Sequence, residues 1–241
     1  MVSQEEGNEL TINAETLLES MKRVSYAVAV QGNNPVMSSM CLQAAGGKLN
    51  FVGLDGHVLA WDKVDYDGEF ELLIPKNTVD KLKSLGMSGN VQIRHSKTGA
   101  VFITEDLEVY TRLIEGEYFK YQAMFKEFSL HTSVSRVSLL DAMTRAKMCT
   151  EERCPVRFEM DGHSLNLSIR DKTTDYHETI ELREDMAEAL TIGFDARLVL
   201  ETLKAFDCEN VGVSFGGPKM PMIVEAEDSD FKTIVLPVAI N

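Results

Sequence analysis

The first feature of the chain is a stripe of apolar residues at helical spacing. They recur at i, i+4, i+7 and i+11 from Leu17 to Val28, which predicts an amphipathic helix over residues 13–28. Asn13 is a suitable N-cap, because its side chain can accept hydrogen bonds from the free amides of the first turn. Short apolar runs separated by turn residues follow, such as those on either side of residues 44–47 (AAGG). This order predicts a helix followed by strands joined in hairpins.

The same pattern occurs a second time. Residues 17–23 (LLESMKR) are similar to residues 139–145 (LLDAMTR) at an offset of 122. The segment at residues 80–85 is likewise similar to the one at 201–206, and two shorter matches keep the same order. Four collinear matches predict two copies of a unit of about 120 residues, with the boundary near Glu127.

Each copy, residues 1–127 or residues 128–241, is predicted to consist of a helix, three strands, a second helix and three more strands. The helices are predicted at residues 13–28, 75–85, 136–150 and 195–207, and the last strand at residues 232–240. Pro75, a favoured first-turn residue, and Gly86 mark the ends of the second helix. Hairpin-linked strands with helices on one face predict the α+β class, with two tandem domains built on antiparallel sheets.

The composition is that of an ordinary globular chain. Of 241 residues, 44% are hydrophobic and 26% are charged. No apolar run approaches the roughly 18 residues of a membrane span, and the N-terminus is acidic. Neither a transmembrane helix nor a secretory signal is therefore predicted, and a cytoplasmic location is expected. The four cysteines are too few for a disulfide scaffold and lack the C-x₂-C spacing of a zinc site, so we expect reduced thiols.

Charge is distributed unevenly along the chain. The net charge of −14 would by itself argue against nonspecific binding to nucleic acid or to anionic membranes. The four predicted helices, however, carry 10 basic and 7 acidic residues, whereas the remainder carries 14 basic and 31 acidic residues. If the sheets cover the apolar faces of the helices, eight cations can gather on one surface: Lys22, Arg23, Lys81, Lys83, Arg145, Lys147, Arg197 and Lys204. The alternative is that these good helix formers only solvate an exposed face.

Catalytic and metal-binding spacings are absent from the sequence. There is no phosphate-binding loop, dinucleotide-binding turn, nucleophile elbow or H-E-x-x-H helix. The two Asp-Gly-His triplets, residues 55–57 and 161–163, fall at different places in the two units, and both are predicted to be loops between strands. Acidic clusters at residues 65–67 and 225–228 lack the spacing of a calcium loop and are predicted to be solvated surface. No catalytic residue, metal or cofactor is therefore expected.

An ordered set of motifs provides a further indication. The motifs are residues 55–60 (DGHVLA), 74–76 (IPK), 113–118 (LIEGEY), 192–194 (IGF), 208–211 (CENV) and 234–238 (IVLPV). Together they resemble the bacterial sliding clamp, the β subunit of DNA polymerase III. The resemblance runs from Glu9 onward and matches the middle and last of that family's three domains, in order.

The resemblance implies a noncatalytic processivity factor. In this family six domains close into a ring, and their helices line a hole through which duplex DNA passes. The cations of the helices would then contact phosphates without reading bases, and the acidic exterior would repel DNA. With two domains in a chain, three chains would supply six, so a homotrimer is expected. The alternatives are a clamp-like module that regulates clamp partners without encircling DNA, and an enzyme whose site has no recognised spacing.

The resemblance also implies a hydrophobic pocket between the last two domains that binds short peptides of polymerases and the clamp loader. The matching positions are Met37, Gly56, His57, Leu59, Leu198, Val235, Leu236, Pro237 and Val238. Val58 replaces a usual basic residue and Ala239 replaces a usual arginine, so the peptide preference stays open. The alternative is that the terminal apolar run is only an edge strand of the core.

Overall fold

The repeat in the sequence corresponds to a repeat in structure. The computed structural model describes residues 8–30, 34–149, 155–170 and 175–240. It separates the chain into two compact units, residues 1–121 and 122–241, and the boundary that the sequence predicts near Glu127 lies a few residues further along. The apolar residues matched by the repeat, Leu17 and Met21 in one copy and Leu139 and Met143 in the other, are at most 2% exposed.

The described residues of the first unit form two α-helices and eight strands. Its elements are β1 (Asn8–Asn13), α1 (Ala14–Ser25), β2 (Ser39–Ala45), β3 (Lys48–Leu54), β4 (Val58–Asp65), β5 (Phe70–Pro75), α2 (Lys76–Ser84), β6 (Asn90–His95), β7 (Gly99–Ile103) and β8 (Glu108–Arg112). All pairings are antiparallel, in the orders β1-β6-β7-β8 and β5-β2-β3-β4. The two helices pack side by side, α1 against β3 and β4 and α2 against β5 and β2.

The second unit has the same connectivity. Its elements are β9 (Leu130–Ser135), α3 (Arg136–Met148), β10 (Pro155–Asp161), β11 (Ser164–Arg170), β12 (Asp175–Glu181), β13 (Leu190–Asp195), α4 (Ala196–Lys204), β14 (Asn210–Phe215), β15 (Met222–Glu225) and β16 (Lys232–Val235). The strands pair antiparallel in the orders β9-β14-β15-β16 and β13-β10-β11-β12, and α3 packs beside α4. In both units the strand before the first helix pairs with the first strand after the second helix. The predicted α+β class with two tandem domains is confirmed.

The predicted number of strands was too low. Each described unit runs strand, helix, four strands, helix and three strands, so the predicted count was two too low: it had three strands between the helices instead of four, and it missed the strand that precedes the first helix. In β1 only Leu10 and Ile12 are apolar and buried, and such a short alternation is a weak signal within the sequence. The strand is defined by its long-range pairing with β6, in which Leu10 lies opposite Ile93.

The start of α1 was predicted correctly and its end was not. Asn13 caps the helix, since its Oδ1 accepts the amides of Glu15 at 2.9 Å and Thr16 at 3.3 Å. The helix ends at Ser25, although Val28 beyond it is only 1% exposed. The apolar stripe continues past Ser25 because the turn after the helix is itself packed in the core. Apolar residues at helical spacing there do not indicate a helix.

The last strand is also shorter than predicted. Strand β16 ends at Val235, and residues 236–240 lie outside any strand. Pro237 has no amide proton to donate to a sheet, so a strand cannot continue regularly through it. The terminal apolar run is therefore not an edge strand throughout. No helix in the described ranges combines the length and apolar character that a bilayer crossing requires.

Candidate DNA and peptide interfaces

The helices of the two units carry a net positive charge in an acidic protein. With their observed bounds, the four helices contain 10 basic and 5 acidic residues, a net charge of +5. The remainder of the chain then has 14 basic and 33 acidic residues, a net charge of −19. Asp195 and Asp207 drop out of the count because α4 is shorter than predicted; Asp195 is its N-cap. The contrast between helices and remainder is therefore larger than the sequence predicted.

Two lysines of α2 reach the C-terminal end of α1. Lys83 Nζ donates to Ser25 Oγ at 2.6 Å, and Lys76 Nζ donates to the Ser25 carbonyl at 2.9 Å. Asp80 lies between the lysines, 3.0 Å from Lys83 and 3.6 Å from Lys76. Cations are favourable here because the last carbonyls of a helix carry partial negative charge. Lys83, a predicted DNA contact, thus also joins α2 to α1, while Lys81 on the same helix is exposed.

Arg23 contacts a buried carboxylate. Its Nη1 lies 3.5 Å from Oδ2 of Asp62, a residue of β4 that is 2% exposed. Burial raises the pKa of Asp62, and the nearby Ser20 hydroxyl and Arg23 guanidinium act in the opposite direction. Arg23 therefore has a structural partner within its own unit, whereas the neighbouring Lys22 is exposed.

Arg145 of α3 forms a bidentate ion pair with Glu178 of β12. Its Nε donates to Glu178 Oε2 at 2.9 Å and its Nη2 donates to Oε1. The Tyr176 hydroxyl lies beside Oε2 and 3.0 Å from the Ala142 carbonyl. The guanidinium lowers the pKa of Glu178, while burial and the carboxylate raise the pKa of Tyr176. No sequence signal identifies Glu178, because the partners are far apart along the chain.

The remaining predicted cations of the second unit are exposed. Lys147 lies in the last turn of α3, Arg197 in the first turn of α4, and Lys204 at the end of α4. Lys204 Nζ is 2.9 Å from Glu201 Oε1, one turn earlier. Each unit thus presents four of the eight predicted DNA-facing residues on its two helices, and six of the eight are exposed.

In the first unit, the predicted peptide-binding residues surround the loop between β3 and β4. Asp55 Oδ1 accepts the amides of His57 at 2.8 Å and Val58 at 2.9 Å, as expected for a loop between strands. Gly56 and His57 are exposed. The methyl group of Met37 lies close to Gly56, since a Cβ there would be 3.4 Å away from it. Leu59 is only 2% exposed, so it lies in the core and not on the surface of the loop.

In the second unit, the predicted residues divide into buried and exposed positions. Val235 is fully buried and Leu198 is 9% exposed. Leu236 and Val238 are 38% and 36% exposed, on either side of Pro237. The tail after β16 thus presents two apolar side chains to solvent. Among the residues that the structure describes, no cluster of three or more metal-ligating side chains is found.

The chain belongs to the class of proteins built from tandem domains, each with two helices packed on antiparallel sheets. Basic residues lie on those helices. Residues 11–120 match the DNA polymerase III beta subunit central domain, and residues 122–239 match its C-terminal domain. The chain belongs to the DNA polymerase III beta subunit family.

Individual relatives agree with this assignment. The chain is 23% identical over 244 residues to the beta sliding clamp of Streptococcus pneumoniae serotype 4, covering 96% of this chain and 65% of that protein. The DNA polymerase sliding clamp of Bacillus subtilis superposes with a TM-score of 0.94 at 20% identity, over all of this chain and 67% of that one. The beta subunit from the DNA polymerase of Streptococcus pyogenes gives a TM-score of 0.93 at 21% identity, with the same coverage. The chain spans about two thirds of the length of these relatives.

Proposed function

We propose that this chain acts as a DNA sliding clamp, a noncatalytic and cytoplasmic processivity factor that encircles duplex DNA and tethers the replicative polymerase. The observation that carries the proposal is that both units match consecutive clamp domains while a protein of net charge −14 places +5 on its four helices. Attraction between cations and phosphates is independent of base sequence, which a sliding contact requires.

The acidic remainder of the chain has a complementary role in this proposal. A net charge of −19 outside the helices repels phosphates, so DNA is favoured only where the helices face it. Because phosphate contacts release condensed counterions, binding weakens as salt is added. The helices thus supply a weak, mobile contact, and enclosure by the ring supplies the retention.

A ring requires more than one chain. Each chain supplies two units, and the six-domain ring implied by the family resemblance is completed by three chains. We expect a homotrimer with three times the 26.9 kDa mass of the chain, about 81 kDa, in multi-angle light scattering. A mass of 26.9 kDa at high protein concentration would remove the ring. A monomer that still bound clamp-partner peptides would support a regulatory module that does not encircle DNA.

The proposed contact with the polymerase and the clamp loader is a peptide pocket. In the second unit it uses the exposed Leu236 and Val238 beside the nearly buried Leu198. In the first unit, considered by itself, the candidate peptide-binding surface is the Met37 side chain beside the exposed loop at Gly56 and His57. A short peptide with a leucine or aromatic anchor suits such a site, because apolar anchors in pockets supply most of the affinity of small interfaces.

A further inference from the structure

The tail that carries Leu236 and Val238 contacts strand β13 of its own unit. Beyond Val235 it makes no regular strand pairing, yet the Val238 amide donates to the Gly193 carbonyl at 2.9 Å. Gly193 lies in the interior of β13, opposite Arg157 of β10. The tail is therefore held at a defined point on the sheet, although the sheet does not extend to include it.

Gly193 leaves room for the tail. A Cβ at this position would lie 2.2 Å from Ile240 Cγ2 and 2.9 Å from the Val238 carbonyl oxygen, closer than a side chain can approach. The φ angle of Gly193 is not in the left-handed region, so its backbone conformation does not require glycine. A glycine inside a strand often marks a close approach by another backbone. Here that backbone is the tail, and the Ile240 side chain lies over the glycine.

We propose that Gly193 and Ile240 are positioning residues for the partner-peptide pocket. They hold residues 236–240 against β13, and this contact orients Leu236 and Val238 towards a bound peptide. The role rests on the pocket proposed above, but the tail contact can be measured without any partner. A tail that is detached most of the time lowers the apparent peptide affinity in proportion to the fraction that stays in place.

The test uses Gly193→Ala with Gly212→Ala as a matched control. Gly212 is also a strand glycine of the second unit, but a Cβ there would meet Glu225 Cγ at 3.5 Å, an ordinary contact. Hydrogen exchange of the Val238 amide reports on the tail contact. We expect this amide to exchange about tenfold faster in the Gly193→Ala variant, and as in the parent in the Gly212→Ala variant. Unchanged Val238 exchange in Gly193→Ala would overturn the proposal.

Peptide binding provides the second measurement. The probe is a short fluorescent peptide with adjacent leucine and phenylalanine residues, and its dissociation constant is measured by anisotropy. If a tenth of the tails stay in place, Gly193→Ala weakens binding about tenfold with an unchanged melting temperature. Faster Val238 exchange with an unchanged peptide affinity would overturn the positioning role.

Ile240→Ala guards against misfolding of the glycine variant. It removes the side chain over Gly193 without inserting an atom into β13. We expect it to speed exchange of the Val238 amide and to weaken peptide binding, as Gly193→Ala does. If the parent protein binds no peptide, the proposed pocket fails, and the positioning role fails with it. Val238 exchange in the variants still decides whether Gly193 holds the tail.

Discussion

Under the proposed function, the predicted DNA-facing residues differ in how freely they can contact DNA. Within the described ranges, the ion pairs include four predicted cations with a carboxylate of their own unit: Arg23 with Asp62, Lys83 with Asp80, Arg145 with Glu178, and Lys204 with Glu201. A carboxylate offers the same type of acceptor as a phosphate and competes with it for the same donors. The clearest case is Glu178, which binds Arg145 in bidentate fashion at the wall of an open groove of about 550 Å³.

Replacing Glu178 tests this competition. We expect Glu178→Gln to tighten binding to linear duplex DNA and to steepen the salt dependence by up to about 0.9, the slope expected for one added phosphate contact. The measurement is a salt titration by fluorescence anisotropy. Asp141→Asn on α3 makes the same change in net charge and is the control. An equal gain in both variants, or a gain that persists in an Arg145→Ala background, would mean that overall charge and not the ion pair is responsible.

The exposed apolar tail leads to a second prediction at the same scale. Leu236→Asp places a charge against the anchor of a bound peptide, and we expect a loss of about 2 kcal/mol of affinity, roughly 30-fold. Because Leu236 is 38% exposed, the melting temperature should change little. Lys204→Ala on α4 is the control and should leave peptide affinity unchanged. A stable Leu236→Asp variant that binds peptide as tightly as the parent would contradict the pocket.

Among the elements, α1 approaches its sheet very closely. Gly53 of β3 lies directly beneath it, and a Cβ there would be 2.8 Å from the Val24 carbonyl oxygen and 2.9 Å from Val28 Cγ2. The nearest atom belongs to the helix backbone, so rotation of a side chain cannot relieve the overlap. The helix can reach this depth only because residue 53 has no side chain.

Gly53→Ala should therefore destabilise the first unit. Overpacking of this kind costs about 1–3 kcal/mol, because the whole helix must shift. Urea unfolding followed by circular dichroism should show a lower midpoint. Gly212→Ala, where the added Cβ has room, is expected to unfold like the parent. An unchanged midpoint for Gly53→Ala would show that α1 can move away from β3 without loss of packing.

The helix layer as a whole can be tested with charge-matched variants. One variant replaces exposed helix cations by alanine: Lys22, Lys81, Lys147 and Arg197. The control replaces exposed lysines outside the helices: Lys97, Lys120, Lys126 and Lys219. Both lower the net charge by four, but only the first should weaken DNA binding and reduce the salt slope, by about 0.9 for each phosphate that is no longer neutralised. Lys83 is left intact because it also holds the end of α1.

Comparing DNA binding by the helix variant and by the control separates the effect of the helices from the effect of net charge. Equal weakening of DNA binding in the helix variant and the control would indicate that DNA responds only to net charge. It would contradict a lining formed by the helices. Neither variant should change the preference among duplex sequences, because the contacts are to phosphates.

For the whole molecule, the proposed ring would link assembly to DNA binding. A ring of several chains has a stability that depends on protein concentration, so retention on DNA should fall as the protein is diluted below its assembly range. In the proposed ring, the charge distribution has its full effect only in the assembled form. Within a single chain, the two units contribute equal numbers of predicted DNA-facing residues, as the internal repeat leads one to expect.

The repeat, the class of fold and the family can all be recognised in the amino-acid sequence. Four helices, the Asn13 cap and the loop at Asp55 follow from local patterns, because caps, turns and periodicity involve residues close together in the chain. The motif order then led to the sliding-clamp family. The family is recognisable although the chain is only 23% identical to the beta sliding clamp of Streptococcus pneumoniae serotype 4.

Which side chains are in contact depends on how distant segments of the chain pack together. Strand β1 is defined by its pairing with β6. Lys83 forms a hydrogen bond with Ser25, which lies 58 positions earlier in the sequence. Arg145 pairs with Glu178, 33 positions later, and the Val238 amide donates to the Gly193 carbonyl in β13. Such contacts leave no local pattern, because a cation on an exposed helix face looks the same in the sequence whether it meets solvent, a carboxylate or a helix end. The choice is made when distant segments pack and bring one particular partner within reach.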